Sequence, residues 1–395
     1  MRELITVKNF FNVLLFIWVI FIPFKNAIYQ ISTILLILFF IVYVIKNKDI
    51  QCVKDVLYKY KDIFFAFALI LLSMTISNVI NDVSNRESWR LELSYVYRYG
   101  LIMYILLYFY SKEFFSKRLL FLFVLSALSI QALDGLYQSI MGYDFFKHNI
   151  ANLRSGLKGA TFNRNTFGFF MGVGVILSFY AITKEKLLDN KKNLILISLF
   201  VLFIYCTLFS YSRAIWVALT AAFLIFTVLN YKNIKVRYIV FAIIILSIVT
   251  IIFFNVDYLG NRLEELLNGS SSHREQIWLY SIEQIKKKPI FGWGLDASSI
   301  YGLKSFFSPH NIIIEILFDL GWFGFMSFFL LLIMIVKEIL KQKSVKLFTL
   351  LVFFLVASQF DQSIISGKIF INSFVLLGLF VFIDRIDKIR KINNA

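Results

Sequence analysis

Three side chains in this sequence are of the types needed for group transfer from an anionic substrate: Arg213, Arg274 and His310. Arginine stays charged and presents a planar fork that can grip two phosphate oxygens at once, so an arginine in apolar sequence suits a diphosphate. Arg213 stands alone in Tyr211-Ser212-Arg213-Ala214-Ile215-Trp216; its bland role would be an interfacial anchor within an aromatic belt. Arg274 heads an apolar stripe of Ile277, Trp278, Ile282 and Ile285 at helical spacing. On that packed face it either points into a site or snorkels from the first turn. His310 follows Ser308 and Pro309. Serine suits an N-cap and proline the first helical position, which places His310 in the first turn of a membrane helix. The positive end of the helix dipole favours a neutral imidazole, the form a general base needs. Asn311 adds a hydrogen-bonding group beside it. A lone histidine at a helix mouth is more often structural, so residue type alone leaves both roles open.

These residues, Arg213 apart, lie in or beside the longest polar interruption of a very apolar chain, Ser270 to Gly324. Ser272-His273-Arg274-Glu275 fits a capping box for a helix that runs to about Lys287 and stops at Pro289. Lys286, Lys287 and Lys288 suit a helix end facing lipid headgroups, and Lys288 is also a candidate supporting residue. Gly292-Trp293-Gly294 reads as a tight turn. Glu315 and Asp319 follow one turn apart inside the next membrane helix, where acids are expensive and face protein or a wet cavity. Gly321 and Gly324 would allow a close helix contact.

The frame around this stretch is membrane helix. Of 395 residues, 59% are hydrophobic and only 16% charged, more apolar surface than a soluble domain of this size can hide. Apolar runs near 20 residues recur, and the sequence predicts an all-α polytopic membrane protein, a single transmembrane domain over 1–395. About 12 transmembrane helices are expected, at 9–24, 28–45, 63–80, 97–111, 119–141, 165–183, 193–210, 213–231, 238–255, 310–336, 347–361 and 369–384. A large loop, 255–309, separates helices 9 and 10. The first apolar segment has no cleavage site of signal-peptide type and is expected to stay as a helix.

Orientation follows from the basic residues. Every second loop is Lys-rich, and these loops hold the majority of the 41 Lys and Arg residues. The positive-inside rule makes them cytoplasmic, with both termini on that side. The net charge of +17 is then mostly a topology signal and implies no nucleic-acid partner. Arginines on the opposite face run against that bias and suggest an anionic ligand there. Cys52 and Cys206 imply neither a disulfide framework nor a metal motif, and no cofactor is expected.

The residues His310-Asn311, then Gly321 after nine intervening residues and Gly324 after two more, resemble the His-Asn/Ser/Gln-x9-Gly-x-x-Gly pattern of the O-antigen ligase family, at the end of a large outer loop. Arg274 is similar to that family's loop arginine. Arg213 resembles the arginine of its Arg-x3-Leu motif, with Val217 in place of Leu. Asn163-Arg164-Asn165 looks like the Asn-Pro-Asn of many relatives, with Arg164 in place of Pro; Asn163, Arg164 and Asn311 are supporting candidates on that basis.

The resemblance implies a GT-C-like membrane glycosyltransferase of the bacterial inner membrane, active at its periplasmic face. The donor would be undecaprenyl diphosphate-linked polysaccharide and the acceptor a sugar hydroxyl of lipid A–core, with membrane lipid around both. His310 would be the base, Arg213 and Arg274 would hold the diphosphate, and no metal would be required. A chain-extending polymerase and a protein O-oligosaccharyltransferase use the same donor and remain alternatives. A transporter of an anionic lipid-linked cargo is the alternative from another class, although the polar residues gather at one face and not along a mid-membrane path.

Overall fold

The computed structural model describes residues 2–24, 27–83, 86–150, 156–161, 163–184, 190–231, 255–268, 274–297, 309–360 and 368–393. The described elements are helical, apart from one isolated bridge between Tyr143 and Ile150. In chain order they are α1 (Arg2–Phe21), α2 (Ala27–Asn47), α3 (Ile50–Lys59), α4 (Lys61–Ile80), α5 (Arg86–Ser94), a π-helical turn (Tyr95–Leu101), α6 (Ile102–Ser111), α7 (Lys117–Met141), α8 (Arg164–Lys184), α9 (Asn190–Phe209) and α10 (Arg213–Asn230). There follow α11 (Asp257–Leu267), α12 (Arg274–Lys287), α13 (Ile312–Gln342), α14 (Val345–Ala357) and α15 (Lys368–Asn393). Six of them, α2, α4, α7, α8, α10 and α13, are long and apolar enough to cross a bilayer. This is an all-α polytopic membrane protein.

The expected spans fall on these helices with three differences. The fourth starts earlier: α5 runs through the π-helical turn into α6, so the chain is helical from Arg86 to Ser111. The Lys-rich loop before the third span contains a helix of its own, α3. The ninth, 238–255, lies outside the described residues except for its last position, as do Ser272 and Ser308, the two expected caps.

The chain groups into two compact units. The first comprises Met1–Val124, His273–Ser344 and Gln362–Ala395. Its core is aromatic, with Phe11 against Phe109 at 4.3 Å and Trp18, Tyr60, Phe318 and Phe382 almost fully buried. Two buried aromatics find partners for their polar tips: Trp18 Nε1 donates to Thr33 Oγ1 at 3.1 Å, and Tyr60 OH donates to the Phe382 carbonyl at 2.9 Å. Arg385 bridges Asp62 (2.9 Å) and Glu338 (3.0 Å), so the half-buried cation is doubly countered. The second unit comprises Leu125–Ser272 and Val345–Asp361. Here α8 packs on α9, α10 and α14, with Phe167 and Phe169 of α8, Phe203 of α9 and Phe353 of α14 buried and Phe169 and Phe353 stacked at 5.5 Å.

Candidate active site

Within the first unit, α13 is not a continuous helix. At Gly321 the backbone leaves helical geometry (φ 63°, ψ −164°), a region essentially reserved for glycine. Breaking a helix orphans carbonyls on one side and N–H groups on the other, at several kcal/mol each when shielded from water. The segment after α12 supplies the missing partners. Trp293 N donates to Phe318 O (2.9 Å) and Gly294 N to Asp319 O (3.0 Å), while Pro289 O and Ile290 O accept from Trp322 N (2.9 Å) and Phe323 N (3.1 Å). Two chain segments thus pair through the gap. The approach is so close that a Cβ on Gly321 would collide with the Ile290 carbonyl, and one on Gly292 with the Asp319 carbonyl. Gly321 therefore serves this crossing, not the helix–helix contact expected from its spacing, and Gly292-Trp293-Gly294 is its counterpart and more than a local turn.

A polar end of α4 secures the crossing. Ser77 Oγ donates to Asp319 O (2.8 Å), Asn81 Nδ2 donates to Gly292 O (2.9 Å), and Asn78 Oδ1 accepts from Leu295 N (2.8 Å). Asp319 Oδ2 accepts from Asp296 N at 3.0 Å. Asp319 and Glu315 are both fully buried in protein. None of Ser77, Asn78 and Asn81 was a candidate from sequence. Their signal was three amide and hydroxyl side chains within five residues at the end of an apolar span.

The crossing holds the helix that begins just after His310. Here the expected cap moves. Asn311 is the N-cap of α13: its Oδ1 accepts from Ile313 N (3.0 Å) and Ile314 N (3.1 Å), and its backbone is extended. Asn311 is thus a helix cap and not a free group beside the histidine. His310 precedes the helix and does not sit in its first turn; its φ of 50° lies in the left-handed region, uncommon for a residue with a side chain. The argument from a first-turn position accordingly does not apply to it. Pro309 is buried, and its carbonyl accepts from Trp278 Nε1 at 2.8 Å. His310 is therefore flanked by two fixed points, Trp278 on one side and the Asn311 cap on the other, and its imidazole is half-buried.

Arg274 opens α12 as expected, and is half-buried. Trp278 lies one turn after it, on the same face. The buried face of α12 is formed by Ile277 and Ser281; Ile282, expected in the apolar stripe, is exposed at 42%. Lys288 is not a headgroup residue here: its ammonium bonds Asn81 Oδ1 and lies 4.1 Å from the Trp293 ring centroid. It belongs to the crossing.

Arg213 lies in the second unit, as the first residue of α10. Its side chain is 13% exposed and faces Glu265 Oε2 at 3.4 Å. A residue not singled out from sequence shares that oxygen: Arg262 NH1, 14% exposed, lies 2.6 Å from Glu265 Oε2. Both Arg262 and Glu265 come from α11, one helical turn apart, and α11 packs on α10. Tyr211, two residues before Arg213, stacks its ring edge-on against Tyr258 at 4.7 Å. Burial pushes the Tyr211 phenol above its ordinary range, so it remains a neutral hydroxyl. Asn163 is the cap of α8, accepting from Thr166 N through its side chain at 2.7 Å; Arg164 follows it as the first helical residue.

One further feature belongs to the first unit. An apolar cavity of about 110 Å³ is lined by Met74, Tyr95, Tyr99, Ile316, Leu320 and Gly324, among others. Among the described residues no cluster of His, Cys, Asp and Glu side chains could hold a metal ion.

Residues 198–329 match the family model described as O-antigen ligase. The match supports membership of that family. It covers Arg213, Arg262, Arg274, His310 and the crossing at Gly321, and leaves out Asn163 and Arg164. A membrane glycosyltransferase of the O-antigen ligase or polymerase type, working on lipid-linked polysaccharide, is what the family implies. No curated protein matches the chain.

Proposed function

We propose that the chain transfers O-antigen polysaccharide from undecaprenyl diphosphate to a sugar hydroxyl of lipid A–core, at the periplasmic face of the bacterial inner membrane and with both termini cytoplasmic. The observation that carries the reading is the placement of His310. Among the described residues it is the imidazole of the family-matched segment, and it is held between the Trp278 bond to Pro309 and the Asn311 cap. In the proposed step the acceptor hydroxyl attacks the anomeric carbon from the side opposite the diphosphate. The new glycosidic bond forms as the bond to the diphosphate oxygen breaks, the configuration inverts, the hydroxyl proton passes to His310, and undecaprenyl diphosphate leaves. Arg274 and Arg213 are proposed to bind diphosphate oxygens, where charge grows as the bond breaks. The apolar cavity beside Leu320 and Gly324 suits a prenyl chain, whose burial there needs no polar partner.

The test is transfer in vitro, with purified full-length protein in nanodiscs, lipid-linked polysaccharide and lipid A–core. Wild type should join the two. His310→Ala should lower the rate by about 10²–10⁴-fold, the range of general acid–base catalysis, while still binding donor. His310→Gln should fail as well, because an amide hydrogen-bonds but does not take up the proton. An active Gln variant would remove the base assignment. Longer lipid-linked chains with no transfer to lipid A–core would replace the ligase with the polymerase reading, and transfer to a protein acceptor would replace it with the oligosaccharyltransferase.

A further inference from the structure

In the first unit, the π-helical turn Tyr95–Leu101 carries a charge that the protein does not answer. Arg98 stands in this turn, at the end of the fourth expected span that lies away from Lys112, and is half-buried. Its Nε donates to the Tyr97 hydroxyl at 2.7 Å, and its guanidinium lies 5.1 Å from the centroid of the same ring. Among the described residues no carboxylate pairs with it. Glu92, the nearest acid along the helix, is engaged elsewhere: its two oxygens accept from Thr75 Oγ1 at 2.5 Å and Asn78 Nδ2 at 2.9 Å. A phenol orients the fork but brings no charge, and an ionised side chain at membrane depth is expensive without a counter-ion. π-Helical turns are rare and cluster at functional sites.

The same turn builds one wall of the apolar cavity. Tyr95, Tyr99 and Gly100 line it, together with residues of α4, α13 and α15. On α4 the lining runs from Ile63 to Met74, about 16 Å at the helical rise of 1.5 Å per residue. The lining presents almost only hydrocarbon and aromatic ring, so an occupant needs no hydrogen bonds there. Gly378 of α15 marks free room: a Cβ on it would meet Met103 at 3.4 Å and Phe382 at 3.8 Å, ordinary contact distances. One turn thus joins an unanswered positive charge to an elongated apolar slot, the two halves of a lipid site. Charge selects the lipid. A phosphodiester has one negative charge and two free oxygens, a match for one guanidinium fork, whereas a diphosphate carries more charge than one arginine answers. An arginine at the end of a span also reaches readily into the headgroup layer.

We propose that Arg98 binds the phosphodiester of a bilayer phospholipid, one acyl chain of which lies in the apolar cavity. The lipid then occupies the space proposed above for the prenyl chain, so phospholipid and donor compete for it. The competition rests on the reading of the donor as a prenyl diphosphate; the phospholipid site does not.

The experiment measures lipid binding to the full-length protein in detergent by native mass spectrometry, with the elution profile followed in parallel. The probes are phosphatidylglycerol and, as its phosphate-free counterpart, diacylglycerol. Wild type should retain phosphatidylglycerol and hold diacylglycerol about 10-fold more weakly, the worth of one charge-assisted hydrogen bond. Arg98→Ala should weaken phosphatidylglycerol by a similar factor and leave diacylglycerol unchanged. Arg98→Gln keeps an amide donor without the charge and should match the Ala variant, which separates loss of charge from loss of fold. Gly378→Leu should fill the cavity and weaken both lipids. Added undecaprenyl diphosphate should displace phosphatidylglycerol from wild type. Phosphatidylglycerol affinity unchanged in Arg98→Gln, or unchanged in Gly378→Leu, overturns the proposal, as does wild type that holds the two probes equally. Loss of undecaprenyl diphosphate in Arg98→Gln with phosphatidylglycerol retained would assign Arg98 to the donor and overturn it too. If undecaprenyl diphosphate displaces nothing while the Gln and Leu variants behave as expected, the competition is overturned and the phospholipid site is upheld.

Discussion

The crossing at Gly321 and the arginine pair at Glu265 solve one problem in opposite ways. Both put polar groups where water is scarce. At the crossing the Phe318 and Asp319 carbonyls and the Trp322 and Phe323 N–H groups of the broken helix have neutral partners on the 289–294 segment or on α4, at distances between 2.8 and 3.1 Å. At the pair, Arg213 and Arg262 meet at one carboxylate oxygen, and among the described residues the Arg262 Nε and the Ser212 hydroxyl are buried without a hydrogen bond. The first arrangement is closed by these bonds. The second is open. Saturated polar sites hold geometry, whereas unsaturated ones of a single charge sign wait for an ion of the other sign.

This contrast predicts which substitutions damage the fold and which damage only the chemistry. The largest effect is expected at Gly321→Ala. Its backbone conformation costs an alanine about 1–3 kcal/mol before any clash, and the methyl group also meets the Ile290 carbonyl. The protein should then fail to elute as a monodisperse species on size-exclusion chromatography in detergent. A folded, active Ala variant would show that the crossing tolerates slack and would break the comparison. Next comes Arg213→Ala, expected to leave the elution profile intact and reduce transfer by about 10–100-fold, the worth of one charge-assisted bond. Arg213→Lys should recover only part of this, since a point charge lacks the fork. Loss of folded protein in the Ala variant would instead class the pair with the crossing.

Smaller effects sharpen the same line around His310. Asn311→Ala should lower stability by about 0.5–2 kcal/mol, as loss of a cap does, visible as a lower melting temperature; Asn311→Asp should restore it. An unchanged melting temperature in the Ala variant would mean that the cap carries no weight. The smallest change is expected from Trp278→Phe. It removes one hydrogen bond to Pro309, worth about 1 kcal/mol, and keeps the ring. Its signature should be a several-fold lower kcat with KM nearly unchanged, because His310 is held less precisely while substrate binding is not touched. A raised KM alone would argue that Trp278 contacts substrate.

How much of this was legible in the sequence depends on the range over which each signal acts. The helices were legible because apolar length and composition are local, and so was the end of α12 at Lys287. Asn311 was noticed for its neighbour and misassigned in role. Serine and proline upstream form a good start signal, yet the chain bends at His310 and starts the helix at the next available cap. The crossing was not legible, since it joins residues about thirty apart and rests on backbone atoms that any sequence has. Its traces were the polar end of α4 and two glycine groups, Gly292-Trp293-Gly294 and Gly321 with Gly324, that single-segment reasoning assigned to separate purposes. Arg262 was visible as a charge in a polar loop but not as a partner. Nothing in its own segment shows that α11 returns it to the first turn of α10.

The broken helix also carries a consequence for biogenesis. A segment entering the bilayer from the insertion machinery normally arrives with its backbone already closed on itself. The segment from Ile312 to Gln342 does not, because its middle is completed by residues 289–294, which leave the ribosome earlier. The earlier stretch must therefore be retained near the membrane, unpaired, until the later one is threaded, and α4, made earlier still, offers Ser77, Asn78 and Asn81 as a place to wait. The order of synthesis thus matches the order in which the pieces are needed: a platform, then a plug, then the helix the plug completes. A circularly permuted chain that delivered the helix before the plug would expose open backbone groups to lipid at the moment of insertion, and it would fail during assembly even if its finished form were equally stable.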